Sequence, residues 1–238
     1  MIETKSIHKI IDQEEFTHYS QGIYNLGDWE KIGSEILLRS DYGSPEVIFQ
    51  EAKMANRLFE LEKKSLLKLF HTYINGSELK ESLFINVYPS TIMHPDFPLL
   101  IKTIVNLISA NLIHKITFEI IEAERVVHFA LLKERIKYLK KSGFQIAIDD
   151  IGKGWSSLSM IIEIQPNYLK LDRYFSDNLS MSPSKQKMIQ SLLTYANGTK
   201  SKVILEGIEL ETDLAAAKYL GVQMCQGYLI DKPKPFLN

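Results

Sequence analysis

At 238 residues, 45% of them hydrophobic, the chain can bury a substantial core, and α/β barrels of roughly 200–250 residues commonly form one domain. Its 28 basic and 29 acidic residues leave a formal charge of −1, which excludes a broad electrostatic footprint for nucleic acid or an anionic membrane surface. The single cysteine, Cys225, excludes an internal disulfide and fits a reducing compartment.

Taken in chain order, the N-terminus MIETKSIHKIIDQEEF carries acids where a secretion signal needs a continuous apolar stretch, so a cytoplasmic protein is expected. YSQGIY at 19–24 and EILLR at 35–39 read as strands. Only NLGDWEKIG separates them, too short for a crossover helix of a dozen or more residues, so these two should pair antiparallel. LFINV at 83–87 is the next strand. LLIKTIVNLISANLI, interrupted by Lys102, Asn106 and Asn111, predicts an amphipathic helix and no membrane span. ITFEII at 116–121 follows, and then Phe129, Leu132, Ile136 and Leu139 recur at helical steps with lysines and glutamates opposite. QIAID at 145–149, YLKLD at 168–172, KVILE at 202–206 and VQMCQ at 222–226 complete the strands. This alternation predicts a single α/β domain over residues 1–238, a (β/α)8 TIM-like barrel with one antiparallel strand. Which of the first two strands is reversed stays open.

Polar residues fall repeatedly where these apolar runs end: Asn86, Glu119 with Glu122, Asp149 with Asp150, Lys170 with Asp172, Glu206 with Glu209, and Gln226. Glu35 sits within its strand, on the same face as Leu37 and Arg39 by the two-residue period. Any one of them could merely cap the following helix. Five or more on one barrel rim would instead raise one another's pKa values and destabilise the fold unless a cation neutralised them. Oxygen ligands with one amide suit Mg²⁺ or Mn²⁺, and the lone cysteine and lack of paired histidines argue against zinc. Adjacent aspartates can serve two ions roughly 3.5–4 Å apart, as phosphodiester hydrolysis by a metal pair requires, and the GKG that follows lets the backbone turn tightly. The alternative from residues alone is a metal-dependent enolase- or aldolase-type barrel in which Lys170 is a base or Schiff-base amine.

From about Gln21 to Pro235 the motifs resemble one family. SEILLR is similar to its EAL signature with a trailing arginine, FINV to its asparagine strand, and FEIIE to ELTE. IAIDDIGKGWSSL resembles its DDFGTGYSSL loop, YLKLD its KID, LEGIE its AEGVE, and QGYLIDKP its closing QGY and proline. The resemblance to the EAL domain family implies hydrolysis of cyclic di-GMP to linear pGpG with two Mg²⁺ or Mn²⁺ ions. It implies that Glu35, Asn86, Glu119 and Asp149 hold the first ion, and that Asp149, Asp150 and Glu206 hold the second. Lys170 would orient the attacking water, with Glu206 a general base and Glu122 bracing the loop from Asp150. Asp172, Glu209 and Gln226 would order water or support ligands. Gln21, Leu37 and Arg39, with Glu35, Asn86, Asp149 and Gln226, would face the substrate. Five carboxylates against Lys170 and two divalent ions make such a site nearly neutral.

The chain departs from the family pattern at several places. Ile121 replaces Thr, Ile151 replaces the loop Phe, and Lys153 replaces a small or hydroxyl residue; Gly22 replaces Pro, Ser40 an aromatic, and Tyr88-Pro89 small residues. The altered loop motivates one alternative, a cyclic di-GMP receptor without turnover; a third reading, a ligand-independent module that regulates a partner protein, predicts eroded ligand positions, which the sequence does not show. A homodimer is expected through the helices near residues 150–164.

Overall fold

The computed structural model describes residues 6–74, 81–121, 124, 126–152 and 158–236. Strands β1 (Thr17–Asn25) and β2 (Lys31–Arg39) form the expected antiparallel pair, with Gln21 opposite Glu35 and Tyr19 opposite Leu37. β3 (Ser82–Val87), β4 (Ile116–Ile120), β5 (Gln145–Ile151), β6 (Tyr168–Leu171), β7 (Lys202–Leu205) and β8 (Met224–Cys225) follow β2 in parallel order. β1 is antiparallel to β8 as well as to β2. It is therefore the reversed strand, and it closes an eight-stranded barrel. A ninth strand, β9 (Lys234–Pro235), pairs with Tyr19 and Ser20 on the outer edge of β1.

Helix α1 (Ile7–Asp12) precedes the barrel. The crossovers are α2 (Pro45–Met54) with α3 (Leu58–Ile74), α4 (Pro89–Met93) with α5 (Phe97–Leu107), α6 (Phe129–Lys141), α7 (Leu158–Ile164), α8 (Arg173–Ser176) with α9 (Pro183–Thr199), and α10 (Glu211–Tyr219). Among the described residues no helix is long and apolar enough to cross a membrane. α6 buries Leu132, Ile136 and Leu139, the stripe its periodicity predicts. The helix expected through 99–113 stops instead at Leu107; the chain is extended at Ser109, and Ala110–Lys115 form a 3₁₀ turn. Ser109 and Asn111 are weak helix formers, so continuing the helix through them gains little.

The core has two layers. Between strands and helices lies the larger one, including Phe97, Phe118, Ile136, Leu169 and Leu205, and covering both faces of β4 leaves all five of its residues buried. Inside the barrel, Ile23, Phe84, Ala147, Tyr168, Ile204 and Met224 form a separate plug. Phe84 and Tyr168 meet edge to face across it, ring centroids 4.9 Å apart. A Cβ on Gly33 would lie 2.7 Å from the Phe84 ring, so the bare backbone there admits the aromatic. Each fully buried Phe or Ile contributes about 1.5–3 kcal/mol.

Buried acids also lie in the helices outside the barrel, Glu62 and Asp213 among them. Glu62 of α3 is 4% exposed, and its carboxylate accepts the Tyr88 N–H at 3.1 Å. Burial pushes its pKa up to about 8, against the lowering pull of Thr91 and the Tyr88 amide. A folded-state pKa above the unfolded value means stability that is complete below about pH 4.5 and lost as pH rises through about 8. Glu62→Gln is therefore expected to match the wild type near pH 5 and to exceed it by a few kcal/mol near pH 9 in urea unfolding. Parallel pH profiles for the two proteins would refute this.

Candidate active site

Two residues beyond each member of the plug, the strands deliver a polar side chain. Phe84 is followed in this way by Asn86, Ala147 by Asp149, Tyr168 by Lys170, Ile204 by Glu206 and Met224 by Gln226. Thr117 leads likewise to Glu119 and Gly33 to Glu35, while on reversed β1 the step runs backward from Ile23 to Gln21. A step of two keeps a side chain on the same face of a strand. All eight strands thus send one polar group to the rim where the parallel strands end, the catalytic face of such barrels.

Lys170 is the hub of this layer. Only 1% exposed, its Nζ lies 2.6 Å from Glu206 Oε1, 2.8 Å from Glu119 Oε1, 2.9 Å from Asp149 Oδ1 and 3.7 Å from Glu35 Oε2. Amides hold the far side of Glu35: Asn86 Nδ2 donates to Oε1 at 2.9 Å and Gln226 Nε2 to Oε2 at 2.6 Å. Gln226 Nε2 also donates to Gln21 Oε1 at 3.0 Å. Among the described residues, none donates a hydrogen bond to the buried Asn86 Oδ1 or Glu119 Oε2.

Successive residues of a regular strand face opposite ways, so Asp149 and Asp150 could not both reach the rim from one. The register with β6 slips between Ile148 and Ile151, and Asp150 takes φ +54°. This bulge re-aims the chain, at a cost of about 1 kcal/mol or more for a left-handed non-glycine residue. Asp149, Asp150 and Glu206 can then each offer an oxygen, all within 4.8 Å of one another.

The charges are far from balanced. Burial pushes Glu119 and Glu206 well above the usual carboxylate range; Lys170 pulls both back, and neighbouring carboxylates push them up again. Burial raises Glu35 too, but Lys170 and the hydrogen bonds from Gln226 and Asn86 outweigh it and leave the pKa lowered. Burial opposes the charge on Lys170, yet Asp149, Glu119, Glu206 and Glu35 together hold it well above its ordinary value. With all five carboxylates ionised, one ammonium leaves about four negative charges, which two divalent cations would neutralise; without such cations the raised pKa values of Glu119 and Glu206 favour their protonated forms. The all-oxygen donor set and the orphaned Asn86 Oδ1 fit hard ions of the Mg²⁺ or Mn²⁺ type.

The other expected residues spread around this centre. Leu37, Arg39 and Asn86 line a small cleft of about 70 Å³ that reaches Phe49 and His18. Arg39 Nη1 donates to Leu38 O at 2.9 Å, and its guanidinium carbon lies 5.8 Å from the Tyr19 ring centroid. Asp172 caps α8, its Oδ1 accepting the Tyr174 N–H at 2.8 Å. Glu209 pairs in bidentate fashion with Arg173 at 3.0 Å. Ile121 is half-buried, and Ile151 is buried at the end of β5. Glu122 and Lys153 lie outside the described residues. Reading the sequence missed Arg173, Gly207, Gly227 and Tyr228, which join Gln21, Glu35, Glu206, Glu209 and Gln226 around a groove of about 240 Å³. The signal was there: Gly207 lies within LEGIE, Gly227 and Tyr228 lie within QGYLIDKP, and Arg173 directly follows YLKLD.

Known proteins resemble this chain in sequence and fold. The family described as "EAL domain" matches residues 4–233. A cyclic di-GMP phosphodiesterase of Vibrio parahaemolyticus, TpdA, is 28% identical over 214 residues, covering 90% of this chain and 36% of its own length. The blue light- and temperature-regulated antirepressor BluF of Escherichia coli is 26% identical over 206 residues, covering 85% of this chain and 50% of its own. Klebsiella pneumoniae BlrP1, solved with calcium and cyclic di-GMP, superposes with a TM-score of 0.82 at 25% identity, over 92% of this chain and 56% of that one. The chain thus spans about a third to a half of these curated relatives.

Proposed function

The chain belongs to the EAL domain family, and from that premise we propose that it hydrolyses one phosphodiester of cyclic di-GMP to give linear pGpG, using two Mg²⁺ or Mn²⁺ ions. The observation that carries this reading is the crowd of carboxylates around buried Lys170, with Asp149, Asp150 and Glu206 within 4.8 Å of one another. Glu35, Asn86, Glu119 and Asp149 would hold one ion, and Asp149, Asp150 and Glu206 the other. When bound, the ions supply Lewis-acid polarisation of the phosphate and lower the pKa of water so that it is a nucleophile near neutral pH.

The chain's own groups do the remainder. Lys170 keeps the carboxylates together and orients the attacking water, whose proton Glu206 accepts. Asn86 and Gln226 each donate to Glu35 and fix its orientation. Arg39 presents a planar donor fork suited to a substrate phosphate, and Gln21 contacts the dinucleotide from the opposite wall. Glu122 braces the loop that follows Asp150, while Asp172 and Glu209 hold the rim in shape. The chain acts in the cytoplasm as a homodimer on this reading, and Leu158 and Ile162, one turn apart on α7 and 69% and 56% exposed, suit such a contact.

A second reading, a regulator of a partner protein, is favoured by the antirepressor BluF among the relatives. Incubating the purified chain with cyclic di-GMP and Mg²⁺ or Mn²⁺, with an EDTA control, separates the readings. Metal-dependent pGpG, resolved by chromatography, is the expected result. Absence of product in every metal would end the hydrolase reading, and calorimetric binding without turnover would make the protein a receptor.

A further inference from the structure

The edge of β1 opposite β2 is paired in two short stretches. β8 pairs with Tyr24 and Asn25, and β9 with Tyr19 and Ser20. Between them, among the described residues, no strand pairs with Gln21, Gly22 and Ile23 on that side, and an unpaired buried N–H there would be costly. One residue of the closing segment fills the gap. Asp231 Oδ2 accepts the Gly22 N–H at 3.1 Å, and Asp231 O accepts Gln21 Nε2 at 2.9 Å.

The carbonyl contact decides which way two amides face, and the side-chain contact to the Gly22 N–H holds that carbonyl in place. A carbonyl oxygen only accepts, so Gln21 must present Nε2 to Asp231 and Oε1 to Gln226. Gln226 must then donate, to Gln21 and to Glu35. Its Oε1 is left buried without a donor, an acceptor beside the groove it helps to line. Gly22 is required by the same contact: a Cβ there would lie 2.5 Å from the Tyr24 ring and 2.7 Å from Asp231 Oδ2.

We propose that Asp231 is a positioning residue for substrate binding: by clasping Gln21 and Gly22 it sets the amide orientation of Gln21, and through it that of Gln226, in the groove. The inference rests on the cyclic di-GMP reading for its substrate, though the clasp is a property of the chain alone. Steady-state kinetics with Mn²⁺ should show KM raised about tenfold in Asp231→Ala, the scale of one hydrogen bond, with kcat within about twofold of wild type. Asp231→Asn keeps an acceptor oxygen and should stay within about twofold in both constants. Asp231→Ala combined with Gln21→Ala should be no worse than Gln21→Ala alone. An unchanged KM in Asp231→Ala, a loss confined to kcat, or additive effects in the double variant would each overturn the proposal. If the wild type turns over no cyclic di-GMP, the activity reading fails, and hydrogen exchange of the Gly22 amide tests the clasp separately. Protection lost in Asp231→Ala and kept in Asp231→Asn supports it; protection unchanged in Asp231→Ala overturns it.

Discussion

Replacing Glu35 with alanine is expected to lower kcat/KM for cyclic di-GMP by roughly a thousandfold or more, as loss of several kcal/mol of metal-borne transition-state stabilisation implies. Glu35 is held by two amide donors, Asn86 Nδ2 and Gln226 Nε2, and it is 9% exposed. Its removal opens one ion site and also strands those donors, at about 1–3 kcal/mol each if they find no water. Relief of repulsion among the remaining carboxylates offsets part of that cost, so the fold should persist. Turnover assays paired with thermal unfolding check both halves. Undiminished turnover in Glu35→Ala would show that the ligand assignment is wrong.

Lys170→Met is expected to destabilise the metal-free protein by about 3–5 kcal/mol, the usual consequence of removing one partner from a buried ionic cluster. Methionine fills similar space, so the loss reports charge and not a cavity. Nζ is the positive group that lies within 3.7 Å of all four of Glu35, Glu119, Asp149 and Glu206; without it their burial and mutual repulsion lose that opposition. Mn²⁺ supplies the missing charge and should raise the unfolding temperature of Lys170→Met more than that of the wild type. Turnover should also fall through kcat more than through KM, since in the proposed mechanism the lysine orients water and does not hold the dinucleotide. Equal urea midpoints for wild type and Lys170→Met, both without metal, would refute the charge argument.

The barrel was legible because its strands are short apolar runs with carboxylates or amides at their ends, and because NLGDWEKIG is too short for a crossover. What escaped the sequence was set by contacts distant along the chain. The bulge that turns Asp149 and Asp150 to the same rim depends on the slipped register with β6, which neither segment encodes alone. VQMCQ pairs as a strand only at Met224 and Cys225, because β1 turns its remaining edge to other partners. β9 and Asp231 were invisible, since Lys234 and Pro235 have no strand character and acquire it only by lying on Tyr19 and Ser20. For Asp172 the capping role, weighed for all strand-end acids, is the one seen. The polar ring was legible as a set because it follows the apolar plug at a fixed step of two; its hydrogen-bond order, which turns on a carbonyl at 231, was not.

The most direct test of the account is anomalous diffraction from crystals of the chain grown with Mn²⁺ and cyclic di-GMP. Two manganese peaks are predicted at the strand-end rim, one among Glu35, Asn86, Glu119 and Asp149 and one among Asp149, Asp150 and Glu206, with the dinucleotide between Gln21 and Arg39. A single peak, no peak at the rim, or the dinucleotide bound elsewhere would contradict it.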